Sequence, residues 1–100
     1  MTQSRHTRTV LAATTDAANS TGFTVNRENP TSVFVDGLAG TETATLQASC
    51  DNGVSYVDIS DAGGVIQLAL GENSLLVVGQ GDYRIRKSTT ASAVAVYVAG

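Results

Sequence analysis

The chain holds one histidine and one cysteine, and neither sits where chemistry needs it. His6 lies in a polar stretch with Arg5 and Arg8, and no neighbour there would orient an imidazole for a Ser-His-Asp relay. No G-x-S-x-G elbow is present. One Cys and one His cannot supply the ligands of a zinc site. Cys50 continues the alternation Ala44, Leu46, Ala48, so it is expected to be a small buried hydrophobe and not a nucleophile. The acids are the remaining candidates. Asp51, Asp58 and Asp61 fall close together, and Asp36 and Asp82 sit in other turns. Loop carboxylates ligate Ca²⁺, and paired ones hydrolyse glycosides. The spacing matches no EF-hand loop or Gly-Asp repeat, and Asp is at home in turns through its own side-chain hydrogen bonds. A domain with two Phe, three Tyr and no Trp has little material for a sugar cleft. Gly79-Gln80-Gly81 lacks the remaining glycine of a phosphate loop and precedes a strand, not a helix. The expectation is no catalytic residue, no cofactor, no metal and no enzyme.

The elements that carry these residues are read from composition and period. One hundred residues make one domain, which buries roughly two thirds of its unfolded surface. The apolar residues are mostly Val and Ala and the polar ones mostly Thr and Ser, a β-branched vocabulary suited to pleated sheets. A core of Val and Ala buries less area per residue than one of Leu and Phe, which hints at stabilisation by association. Net charge is −3, unevenly placed. Arg5 and Arg8 make one end basic and Arg84, Arg86 and Lys87 the other, with all nine acids between them against Arg27 alone. An acidic body argues against a nucleic-acid groove, which needs clustered cations. No stretch approaches the length of a membrane-spanning helix. The lone cysteine rules out an intrachain disulfide, and Asn19-Ser20-Thr21 matches a glycosylation pattern that is common by chance. A chain made and kept, or assembled, in a cytoplasm is expected.

Residues 1–9 read as a flexible polar arm and 10–100 as the folded domain. Val10 to Thr15 reads as a first strand, although its alanines also allow a helical turn. Thr21 to Asn26 places Phe23 and Val25 on one side, and Ser32 to Val35 ends at the turn dipeptide Asp36-Gly37. The clearest strand is Thr41 to Cys50: Thr43, Thr45, Gln47 and Ser49 share one face, and Ala44, Leu46, Ala48 and Cys50 the other. Asn52-Gly53 is a strong hairpin signal, returning through Val54 to Ile59. Further strands are expected at Val65 to Leu70, Ser74 to Val78, Tyr83 to Arg86 and Ala91 to Ala99. Seven to nine short strands at this spacing predict an all-β fold, a single antiparallel β-sandwich or jelly-roll-like domain with a short N-terminal arm. The last strand is apolar on both faces, so it is either central or covered by a partner.

Two passages carry a resemblance. Thr43 to Tyr56 forms a strand, an Asp-Gly type hairpin and an aromatic; Gly81 to Ser88, followed by Ala93 to Val98, forms a C-terminal strand pair. Together they resemble the small β-sandwich capsid decoration (cement) proteins of tailed bacteriophages, over roughly residues 41–98. The family's aromatic after the hairpin is more often Trp, and here it is Tyr56. The resemblance implies a virion structural protein on the outer surface of a capsid, assembled in the host cytoplasm. It implies a homotrimer or homodimer seated on the major capsid protein, with no nucleic acid or membrane partner. Arg5 and Arg8 would then pair with shell carboxylates, Tyr83 or Tyr97 would anchor an interface, and Arg84 and Arg86 would contribute charge. Two other readings remain open from the sequence: a phage tail or fibre module, and a carbohydrate-binding module, which wants exposed aromatics on one sheet face.

Overall fold

The alternation of β-branched and polar residues builds two antiparallel sheets packed face to face in a computed structural model that describes residues 7–61 and 64–99. The strands are β1 (Thr7–Thr14), β2 (Ala18–Asn19), β3 (Phe23–Val25), β4 (Thr31–Asp36), β5 (Thr43–Ser49), β6 (Val57–Asp58), β7 (Ser60–Asp61), β8 (Gly64–Val65), β9 (Gln67–Ala69), β10 (Ser74–Val77), β11 (Gly81–Lys87) and β12 (Val94–Ala99). Sheet A has the order β1-β12-β4-β10. Sheet B is built on the β11–β5 pair; β2 and β3 continue it beyond β11, and β6 and β9 beyond β5. A short β7–β8 hairpin completes the strands. The expected all-β sandwich is what forms.

The core lies between the sheets and is made chiefly of valine. Val33 and Val35 of β4 and Val94, Val96 and Val98 of β12 face Leu46 of β5, Ile85 of β11 and Phe23 and Val25 of β3. Each such side chain stabilises the fold by about 1.5–3 kcal/mol on burial. The last strand is central, between β1 and β4, which is why it is apolar along its whole length.

Several boundaries differ from the sequence reading, each for a physical reason. β1 starts at Thr7, because Thr7, Arg8 and Thr9 pair with Ala99, Val98 and Tyr97. The last three residues of the expected arm therefore belong to the sheet. Met1 to His6, including Arg5, lie outside the described residues. The strand expected over Val54 to Ile59 forms only at Val57–Asp58, since 49–56 make an ordered loop. Asn52 and Gly53 do adopt the positive φ of the expected turn, 61° and 88°. Gly37 is a required glycine: its φ is +112°, and a Cβ there would lie 2.3 Å from the Ala93 carbonyl oxygen.

Ser20 stitches the broken edge beside β11. It lies between β2 and β3, both of which pair with β11. Its backbone N–H donates to the Ile85 carbonyl (2.7 Å), and its hydroxyl accepts the Ile85 N–H (2.8 Å). The side chain thus takes the place of a ladder carbonyl where the neighbouring strand bends away.

Candidate binding surfaces

The outward face of sheet A is assembled by register. Tyr97 pairs with Thr9 on one side and Phe34 on the other, and Leu76 pairs with Ser32, one step diagonal to Phe34. Phe34 is 42% exposed and Leu76 55% exposed. Ala95 and Ala99 flank Tyr97 on the same face, and Ser32 and Ser74 complete the surface around Phe34. The result is an apolar cluster of Phe34, Leu76 and Tyr97 on one face of the sheet, with Asp36 at its end. The remaining exposed large hydrophobics, such as Val54, Val57 and Leu70, lie in or beside the loops and short strands attached to sheet B and β10.

The outward face of sheet B is polar and closed on itself. Arg84, Gln47 and Asp58 lie side by side across three strands. Arg84 Nε donates to Gln47 Oε1 (2.7 Å), and Gln47 Nε2 donates to Asp58 Oδ1 (2.8 Å). Gln47 is thereby buried although it sits on the solvent side of its strand. The Arg84 guanidinium also stacks over the Tyr56 ring, 4.3 Å from its centroid. Further along, Thr24 Oγ1 donates to Asp82 Oδ1 (2.7 Å).

Of the acids singled out in the sequence, Asp51, Asp58 and Asp82 act as hydrogen-bond acceptors within the fold. Asp51 organises the loop after β5: it accepts from Ser49 Oγ (2.8 Å), the Ser55 N–H (2.9 Å) and Ser55 Oγ (2.6 Å). The Ser55 hydroxyl above all, with the Ser55 N–H and the Ser49 hydroxyl, lowers its pKa to about 2. Glu42 ties two loops together, accepting from the Ala39 and Ala91 N–H groups (both 2.9 Å), and the Ala91 bond leads in lowering its pKa. Among the described residues, no group of three or more His, Cys, Asp or Glu side chains is placed to hold a metal ion. The expected burial of Cys50 is overturned: β5 ends at Ser49, so the alternation stops one residue short and the thiol is exposed.

The residues expected to contact a partner fall in different places. Tyr97 lies on the sheet A cluster, half-buried. Arg8 is exposed on β1, the edge strand of the same sheet. Tyr83 is engaged inside: its ring stacks on Phe23, with centroids 6.2 Å apart, and its hydroxyl donates to the Gly79 carbonyl. Arg84 is held by Gln47 and Tyr56, whereas Arg86 is exposed. The sequence reading missed Phe34 and Leu76. Phe34 was accessible to it, since Val33 and Val35 face inward and the residue between them must face out.

Comparison with known protein families, with curated proteins and with solved structures finds no match to this chain.

Proposed function

We propose that this chain is a structural protein of a virion, a capsid decoration protein that self-associates and seats on the major capsid protein through the outer face of sheet A. The observation that carries the reading is the pair of exposed side chains Phe34 and Leu76 beside half-buried Tyr97 on one face of sheet A. Aromatic and aliphatic groups clustered on one face are the usual anchors of protein–protein contacts. β1 is the edge strand of that sheet: Thr9 pairs with Tyr97 on the outward face, while Arg8 is exposed beside it on the other side of the strand, paired with Val98. The resemblance of residues 43–56 and 81–98 to decoration proteins supports the same reading; those segments supply β5, the loop pinned by Asp51, β11 and most of β12. The acidic body agrees with a partner other than nucleic acid.

The test is co-sedimentation of the purified chain with intact capsids of a phage that encodes it, together with sizing in solution. Binding at a fixed copy number per capsid subunit and a species larger than a monomer are expected. Absence of saturable binding overturns the shell reading, and a clean monomer overturns self-association.

One observation favours the carbohydrate-binding alternative: the fold brings Phe34 and Tyr97 side by side on one face although they are far apart in sequence. Their apolar company is Leu76, Ala95 and Ala99, and Thr9, Ser74 and Asp36 supply hydrogen-bonding side chains around them. Tyr56, the aromatic on the polar face, already has Arg84 stacked on its ring.

A further inference from the structure

The three cations of β11 differ in what they have left to bind. Lys87 points with Ile85 toward the interior and is 2% exposed; its ammonium donates to the Asp16 carbonyl oxygen. Arg84 points outward into the hydrogen bond with Gln47 and the stack on Tyr56. Arg86 also points outward, but its cross-strand neighbours are Asn19 and Thr45, both neutral, and no hydrogen bond or ion pair engages its guanidinium among the described residues. It borders a cleft of about 450 Å³ where β2 runs beside the end of β11. Asn19, Lys87, Ser88 and Thr89 line the same cleft with Ala17 and Ala18, and among the described residues no acidic one does. Asp16 directly precedes cleft-lining Ala17, with its carbonyl oxygen held by Lys87, and Glu42, on the Lys87 side, is occupied by two backbone N–H groups.

We infer that this cleft is an oxyanion-binding site that takes a carboxylate or phosphate group. The guanidinium presents a planar fork of donors that matches two oxygens of such a group. The Asn19 amide and the Ser88 and Thr89 hydroxyls are the polar groups around it, each able to donate a further hydrogen bond. In a chain of net charge −3, an arginine with no internal counter-ion beside three neutral donors is a local reversal of the overall field. The inference does not rest on the capsid reading, because the isolated chain binds such an anion whether or not it coats a shell.

The test is an NMR titration of the purified chain with sodium phosphate and, separately, with sodium acetate, at constant ionic strength. Saturable shifts of the Asn19, Ser88 and Thr89 amides and of the Arg86 Nε–H are expected with at least one of them. The anion that saturates identifies the ligand group. R86Q should weaken binding at least about tenfold, R86K less, and R84Q not at all. Well-dispersed spectra of each variant show that the fold is retained. Non-saturating shifts with both anions, or binding that survives in R86Q, overturn the site.

Discussion

The outward faces of the two sheets are made by the same alternation, yet one is closed and the other open. On sheet B, Arg84, Gln47 and Asp58 satisfy one another across three strands and Tyr56 lies under the guanidinium. Side chains already paired gain little from a new partner, because that partner must first displace a good hydrogen bond. On sheet A, Phe34 and Leu76 are exposed, so covering them gains roughly 25 cal/mol per Å² of apolar area. A polar face can therefore be inert and an apolar one adhesive, and the difference lies in what each face has left unsatisfied. The Arg86 cleft is the exception on the polar sheet, because the ladder that neutralises Arg84 does not extend to it.

The largest expected effect separates the faces. The double variant Phe34→Glu with Leu76→Glu should lower capsid binding by two orders of magnitude or more, since anchor residues contribute about 2 kcal/mol or more each. Its stability should fall by only about 1–2 kcal/mol, from loss of the Phe34–Tyr97 cross-strand pair and from like charges on neighbouring strands. Sedimentation and urea unfolding measure the two quantities. Gln47→Ala should do the reverse. It leaves Arg84 and Asp58 without their shared partner, so unfolding should show a loss of about 1–3 kcal/mol, while capsid binding stays unchanged. Tyr56→Leu should be milder, removing a cation–π contact of about 0.5–1 kcal/mol, again without effect on binding.

The smallest effect is one of pH. Asp51 has a folded pKa of about 2 against an ordinary 3.8, so its contribution is complete above the ordinary value and is lost as pH falls from there through about 2. The Ser55 amide resonance should hold its position down to about pH 4 and move between there and pH 2. Asp51→Ala should release the loop at neutral pH, loosening the Tyr56 stack on Arg84 and leaving the sheet A face unaltered.

What the sequence revealed follows the reach of its signals. Alternation over Thr43 to Ser49 is local and correctly sends Ala44 and Leu46 inward. The Asn52-Gly53 turn is local too, although the loop around it is longer than a tight hairpin because Asp51 holds Ser49 and Ser55 together. The same alternation misplaced Cys50, since periodicity says nothing of where a strand stops. The basic run Arg84, Arg86 and Lys87 looked like one patch, yet the period of two sends Lys87 to the opposite face from the arginines. Which arginine is neutralised depends on Gln47 and Asn19, brought alongside by pairing across 37 and 67 positions of chain. No short-range pattern encodes that, and the same holds for the meeting of Phe34 with Tyr97 and Leu76.

The central claim is that sheet A's outward face is the adhesive one. Electron cryomicroscopy of capsids decorated with the purified chain tests it most directly. Phe34, Leu76 and Tyr97 should be buried against shell or sister subunits, with the Arg84–Gln47–Asp58 ladder facing solvent. Density that turns the ladder toward the shell and leaves Phe34 and Leu76 in solvent would contradict it.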